Sequence, residues 1–97
     1  MTIALRKFGT TLISRQTGRE AYAALQPLLR NSGGDEELSV DFEGVLAFSP
    51  SWGDEFLTPL GRRYGARMTL HHTANSSVKA TLELLQKTTG IIFKIAA

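Results

Sequence analysis

From Leu38 to Ile95 the chain repeats one rhythm, a short apolar strand followed by a capped amphipathic helix, and few architectures accept that order. Leu38, Val40 and Phe42 alternate with Ser39 and Asp41, as residues of a strand with one buried face do. Glu43-Gly44 breaks the run, and Val45 to Phe48 resume it. Ser49-Pro50 then supplies a capping hydroxyl and a proline at the first helical position, where the missing N–H costs nothing. Trp52, Phe56, Leu57 and Leu60 give the helix an apolar face, and Gly65 is placed to end it. The rhythm returns with Ala66 to His71 as a strand, Asn75 to Ser77 as turn and cap, and Val78, Leu82 and Leu85 along a third helix closed by Gly90. Ile91 to Ile95 reads as a final strand. Alternation of this kind predicts an α/β fold, a mixed or mostly parallel sheet of four to five strands carrying about three helices.

The first third is less regular. Thr2 to Lys7 and the pair Leu12-Ile13, separated by Gly9, predict two short strands in a hairpin-like arrangement. Thr17 and Glu20 have capping-box spacing, so a helix is expected to start there, with Tyr22, Leu25, Leu28 and Leu29 as its stripe. Pro27 predicts a kink or an end near Gln26, and Pro59 predicts distortion in the second helix. Asn31 to Glu37 reads as a solvated loop. At 97 residues, 42% of them hydrophobic, all of this belongs to one domain (1–97) with one core.

Charge and composition remove several function classes. Eleven Lys and Arg against nine Asp and Glu leave only +2, a weak field for a nucleic-acid or anionic-membrane partner. The absence of cysteine excludes disulfides, thiolate metal sites and cysteine nucleophiles. Met1 to Phe8, with Arg6 and Lys7 inside it, is neither a leader peptide nor a membrane span, so a soluble, cytoplasmic protein is expected. His71 and His72, adjacent on a strand, should face opposite sides of the sheet and share no metal. Gly33-Gly34 and Gly61 to Gly65 lack the lysine and hydroxyl of a phosphate loop, and no serine sits in a Gly-x-Ser-x-Gly elbow. Asp54 and Glu55 point about 100° apart on a helix, an unsuitable geometry for an acid and base acting on one atom. Neither a catalytic set nor a metal or other cofactor is expected.

Three blocks carry a resemblance. Gly9-Thr10-Thr11-Leu12-Ile13-Ser14-Arg15, Val40-Asp41-Phe42-Glu43-Gly44-Val45, and Phe48-Ser49-Pro50-Ser51-Trp52-Gly53-Asp54-Glu55-Phe56-Leu57 together look like the bacterial STAS-like domains of unassigned function, relatives of the anti-sigma factor antagonists. Val78 to Ile95 is similar to the last helix and strand of that fold. The resemblance implies a non-enzymatic signalling module that docks another protein, an anti-sigma-type or histidine-kinase-like ATPase, through the start of its second helix. In the antagonists a serine there is phosphorylated. Aligned from Asp41-Phe42, that position falls on Pro50, which leaves Ser51 as the acceptor to consider, because Ser49 is the better cap. Asp54 and Glu55, one turn on, would repel a phosphate on Ser51.

The expected partner-binding residues are therefore Ser49, Ser51, Trp52, Asp54 and Glu55, with Ser51 as the phosphorylation site. Trp52 can serve as an interface anchor or fill the core, and the core is the commoner use. Arg15, where the STAS-like pattern also has an arginine, is expected to make a two-pronged ion pair with Asp41 or Glu43, or else to meet the partner. Two other readings stay open: a nucleic-acid-associated regulator using Arg62, Arg63 and Arg67, and a self-associating scaffold, such as a homodimer, built through exposed sheet edges.

Overall fold

A computed structural model of the chain describes residues 1–31 and 36–96. Among them are six strands and three helices: β1 (Thr2–Ala4), β2 (Thr11–Leu12), α1 (Arg15–Arg30), β3 (Leu38–Asp41), β4 (Ala47–Phe48), α2 (Pro50–Tyr64), β5 (Met68–Leu70), α3 (Ser76–Thr89) and β6 (Lys94–Ile95). The fold is α/β. Four strands form one sheet in the order β1-β3-β5-β6, and β2 pairs with β4 in a separate ladder. Each of these pairings is parallel. The predicted loop over Asn31–Glu37 lies outside the described residues from 32 to 35.

Burial alternates along the central strands as the sequence pattern requires. Ile3, Leu38, Val40, Met68 and Leu70 face the core, while Thr2, Ser39, Thr69 and Lys94 form one row across the opposite, more open face. At the centre is an aromatic cluster. Trp52 lies 4.8 Å from Phe56, 5.7 Å from Phe48 and 6.2 Å from Phe8, ring centre to ring centre.

Local chemistry accounts for most helix ends. The Ser49 hydroxyl accepts the Trp52 N–H at the start of α2, and Asn75 Oδ1 accepts the Val78 N–H at the start of α3. Gly90 ends α3 in the left-handed region (φ +76°), which glycine enters without a Cβ clash.

The amino-terminal third departs from expectation. There is no hairpin: β1 joins β3, a 3₁₀ turn over Leu5–Phe8 follows, and β2 joins β4. The cap of α1 lies three residues before the expected one, because Ser14 rather than Thr17 accepts the capping bond, from the Thr17 N–H at 3.1 Å. Glu20 instead accepts a bond from the Gln16 amide. Nor does Pro27 stop α1. It sits on the exposed side, where the carbonyl it leaves unbonded can meet water, while Leu25 and Leu29 on either side hold the helix to the core. Helix α2 likewise runs through Pro59 between buried Phe56, Leu57 and Leu60.

Two glycines set how closely the helices pack. A Cβ on Gly18 of α1 would lie 2.7 Å from the Trp52 carbonyl oxygen of α2. On Gly53 of α2 it would lie 2.9 Å from Leu85 Cδ1 of α3 and 3.2 Å from Phe48 Cζ. The first obstacle is backbone, and the nearer one at Gly53 is the tip of a flexible side chain. Gly18→Ala should therefore cost about 1–3 kcal/mol although alanine is the better helix former. Gly53→Ala should cost less. Urea unfolding followed by emission of Trp52, the sole tryptophan, measures both.

Candidate functional site

The start of α2 divides its residues between inside and outside. Trp52 is 0% exposed, closed in by the aromatic cluster and by α1. It is a core residue and cannot anchor a partner, which corrects its place among the expected docking residues. Its indole N–H has no hydrogen-bond partner among the described residues, so the core holds one unsatisfied donor beneath the site.

The two serines also separate. Ser49 accepts from the Trp52 N–H and donates to the Ile13 carbonyl at 2.7 Å, so its hydroxyl is committed to joining the end of β2 to the start of α2. Ser51 is half-buried, and its hydroxyl has no hydrogen bond among the described residues. Of the pair, Ser51 alone is chemically unoccupied.

Arg15 is not paired with Asp41 or Glu43 as expected. One of its guanidinium nitrogens, Nη1, donates to Asp54 Oδ2 at 3.1 Å and to Glu55 Oε1 at 3.0 Å, and Arg19 adds a 3.4 Å bond to the same Glu55 oxygen. The reason is helix register. Setting Gly18 against Trp52 carries Arg15 and Arg19, one turn apart, over the second turn of α2. Asp41 instead caps a turn, its Oδ1 accepting the Glu43 N–H at 3.0 Å and lying 3.7 Å from His71 Nδ1. Asp54 and Glu55 fall in the second turn of α2, beyond the reach of the helix-terminal field, so the arginines rather than the helix dipole answer their charge.

Ser51, Asp54 and Arg15 border one shallow depression of about 430 Å³ between α2 and α3, together with Arg62, Leu84 and Thr88. One large apolar side chain stands exposed in it, and a second is exposed on the residue whose carbonyl holds Ser49. Leu84 of α3 lines the depression and is 44% exposed; Ile13, which precedes α1 and accepts the Ser49 bond, is 52% exposed. Sequence reasoning missed both, and it missed Arg62 as a member of this group.

The other arginines do not share that surface. Arg63 reaches Gln26 of α1 at 3.5 Å, and Arg67 donates to the Glu36 and Arg63 carbonyls while lying over the Tyr64 ring at 5.0 Å. Arg63 and Arg67 thus gather around Tyr64, both lying over its ring, while Arg62 borders the depression with Ser51. The two histidines, expected on opposite faces, border a single second cavity. Among the described residues no helix is long and apolar enough to cross a membrane.

Comparison with known protein families, with curated proteins and with solved structures gives no match.

Hydrogen bonding to Arg15 first, and to Arg19 after it, holds the Glu55 carboxyl below its ordinary value, and hydrogen bonds to Glu55 and then Asp54 raise Arg15. A lowered carboxylate stabilises the fold at pH values above its unfolded pKa of about 4.3 and loses that contribution as pH falls through the folded value. Raising Arg15 has no consequence at working pH, since the guanidinium is charged throughout. Glu55→Gln should therefore be less stable than the parent at pH 7, and the gap should narrow as pH falls below about 4. Unfolding curves at pH 7 and pH 3 check the sign.

Proposed function

We propose that this chain is a non-enzymatic protein-interaction and signalling module that docks a partner protein through the start of α2, in the manner of an anti-sigma factor antagonist, with Ser51 as its regulatory phosphorylation site. One observation carries the reading: beside a fully engaged Ser49, the unengaged Ser51 hydroxyl shares a depression with a surface arginine and an exposed leucine. Arginine beside an exposed apolar side chain is a composition common at protein interfaces.

The repulsion expected from Asp54 and Glu55 is already offset by Arg15 and Arg19. In the switch, Ser51 Oγ takes the terminal phosphoryl group of ATP from a kinase-type partner, loses its proton and releases ADP. The new group carries about −1.5 to −2 charges. Arg15 and Arg62 border the same depression, and a phosphate is a better fork-shaped acceptor than two carboxylates sharing one nitrogen. Drawing Arg15 from Asp54 and Glu55 would leave both acids uncompensated at the docking face and weaken the complex. The partner class is the histidine-kinase-like ATPase that the sequence resemblance implies.

Two experiments test this. Incubation with ATP and a cognate kinase-like ATPase should add the mass of one phosphate to the protein and to Ser49→Ala, but not to Ser51→Ala. Ser49→Ala should instead lose about 1 kcal/mol of stability as a missing cap. In affinity capture from the native host, Leu84→Asp and Ile13→Asp should each lose an ATPase that the parent and the distant surface variant Lys94→Ala retain. Retention by all four would remove the docking face, and phosphorylation of Ser51→Ala would remove the switch.

A further inference from the structure

The second cavity, of about 320 Å³, lies on the other side of α3 from the proposed docking face. It opens beyond the carboxyl ends of β5 and β6, the end of a parallel sheet at which α/β folds place their ligands. Its floor is Leu82, which is buried, and Ile95, which is half exposed. His71, His72 and Thr73 of the loop after β5 form one wall, and Lys79, Glu83 and Gln86 of α3 form the other.

The polar groups around this floor are unequal in their commitments. Gln86 Oε1 already accepts the Phe93 N–H at 2.9 Å, and Thr73 Oγ1 accepts the Asn75 N–H at 3.1 Å. Glu83 has Lys87 within 3.9 Å. Asp41 stands 3.7 Å from His71 Nδ1. The Lys79 ammonium has neither an ion pair nor a hydrogen bond among the described residues, and the His72 imidazole has none either. An apolar floor beneath an uncommitted ammonium and imidazole complements a compact apolar body bearing a single carboxylate.

We infer that this cavity is a binding site for small organic monocarboxylates, with Lys79 and His72 receiving the carboxylate and Leu82 and Ile95 receiving the apolar body. The site is separate from the docking face and does not depend on it.

Phenylacetate is the probe, with 2-phenylethanol and 2-phenylethylammonium as partners of like shape and different charge. In a titration of the isotopically labelled protein at low salt, phenylacetate should give saturable shifts centred on His71, His72, Lys79 and Ile95. The alcohol should bind about three- to fivefold more weakly, as loss of one exposed ion pair allows, and the ammonium more weakly still. Lys79→Glu should reverse the order of the acid and the ammonium, and Ile95→Ala should weaken all three. Lys79 and Ile95 are surface residues, and unchanged Trp52 emission confirms that both variants are folded. The inference is overturned if phenylacetate gives no saturable shift, if the shifts centre elsewhere, if the three probes bind alike, or if Lys79→Glu leaves their order unchanged.

Discussion

Everything at the start of α2 depends on one close approach, the backbone of α1 at Gly18 against the backbone of α2 at Trp52. No side chain separates the helices there, so α2 is held at a depth that other residue types would forbid. Gly53, one residue on, lets α3 close from the other side, with Leu85 and Phe48 in the space a Cβ would take. A helix held so tightly on two sides has little choice about which residues remain outside. Trp52 and Phe56 go in, while Ser51, Asp54 and Glu55 stay at the rim.

The same approach arranges the charges. Once α1 is in register with α2, Arg15 and Arg19 stand over Asp54 and Glu55 and neutralise a pair of acids that would otherwise repel one another. These bonds are exposed and add little to stability. Their effect is on the electrostatics of the rim, where a guanidinium shared between two carboxylates can be drawn toward a stronger anion. The Trp52 indole donor, unsatisfied among the described residues, is a cost borne inside the core directly beneath that rim.

What the sequence revealed follows the range of each interaction. Caps and glycine stops act over three or four residues, and Ser49, Asn75, Gly65 and Gly90 were all legible. So was the two-residue alternation of β3 and β5. Ser14 was missed because Thr17 satisfies the same local rule, and in the structure it is Ser14 that accepts the capping bond. The ion pair of Arg15 spans 39 and 40 residues, so no local spacing could name its partners. A signal did exist in Gly18: a glycine within an amphipathic helix gives up about 1 kcal/mol relative to alanine and usually marks a close contact. Trp52 was legible as a core residue but not as the surface over which two helices cross.

The short β4 strand carries a consequence for how copies of this molecule meet at high concentration. On its outer side the Phe48 N–H bonds to the Ser77 hydroxyl, and the Phe48 carbonyl accepts from both Ser77 and Thr81. A strand margin whose donors and acceptors are already consumed by hydroxyls offers no template for an incoming backbone. Fibril-type growth by strand addition is thereby closed off at the β4 margin of this ladder.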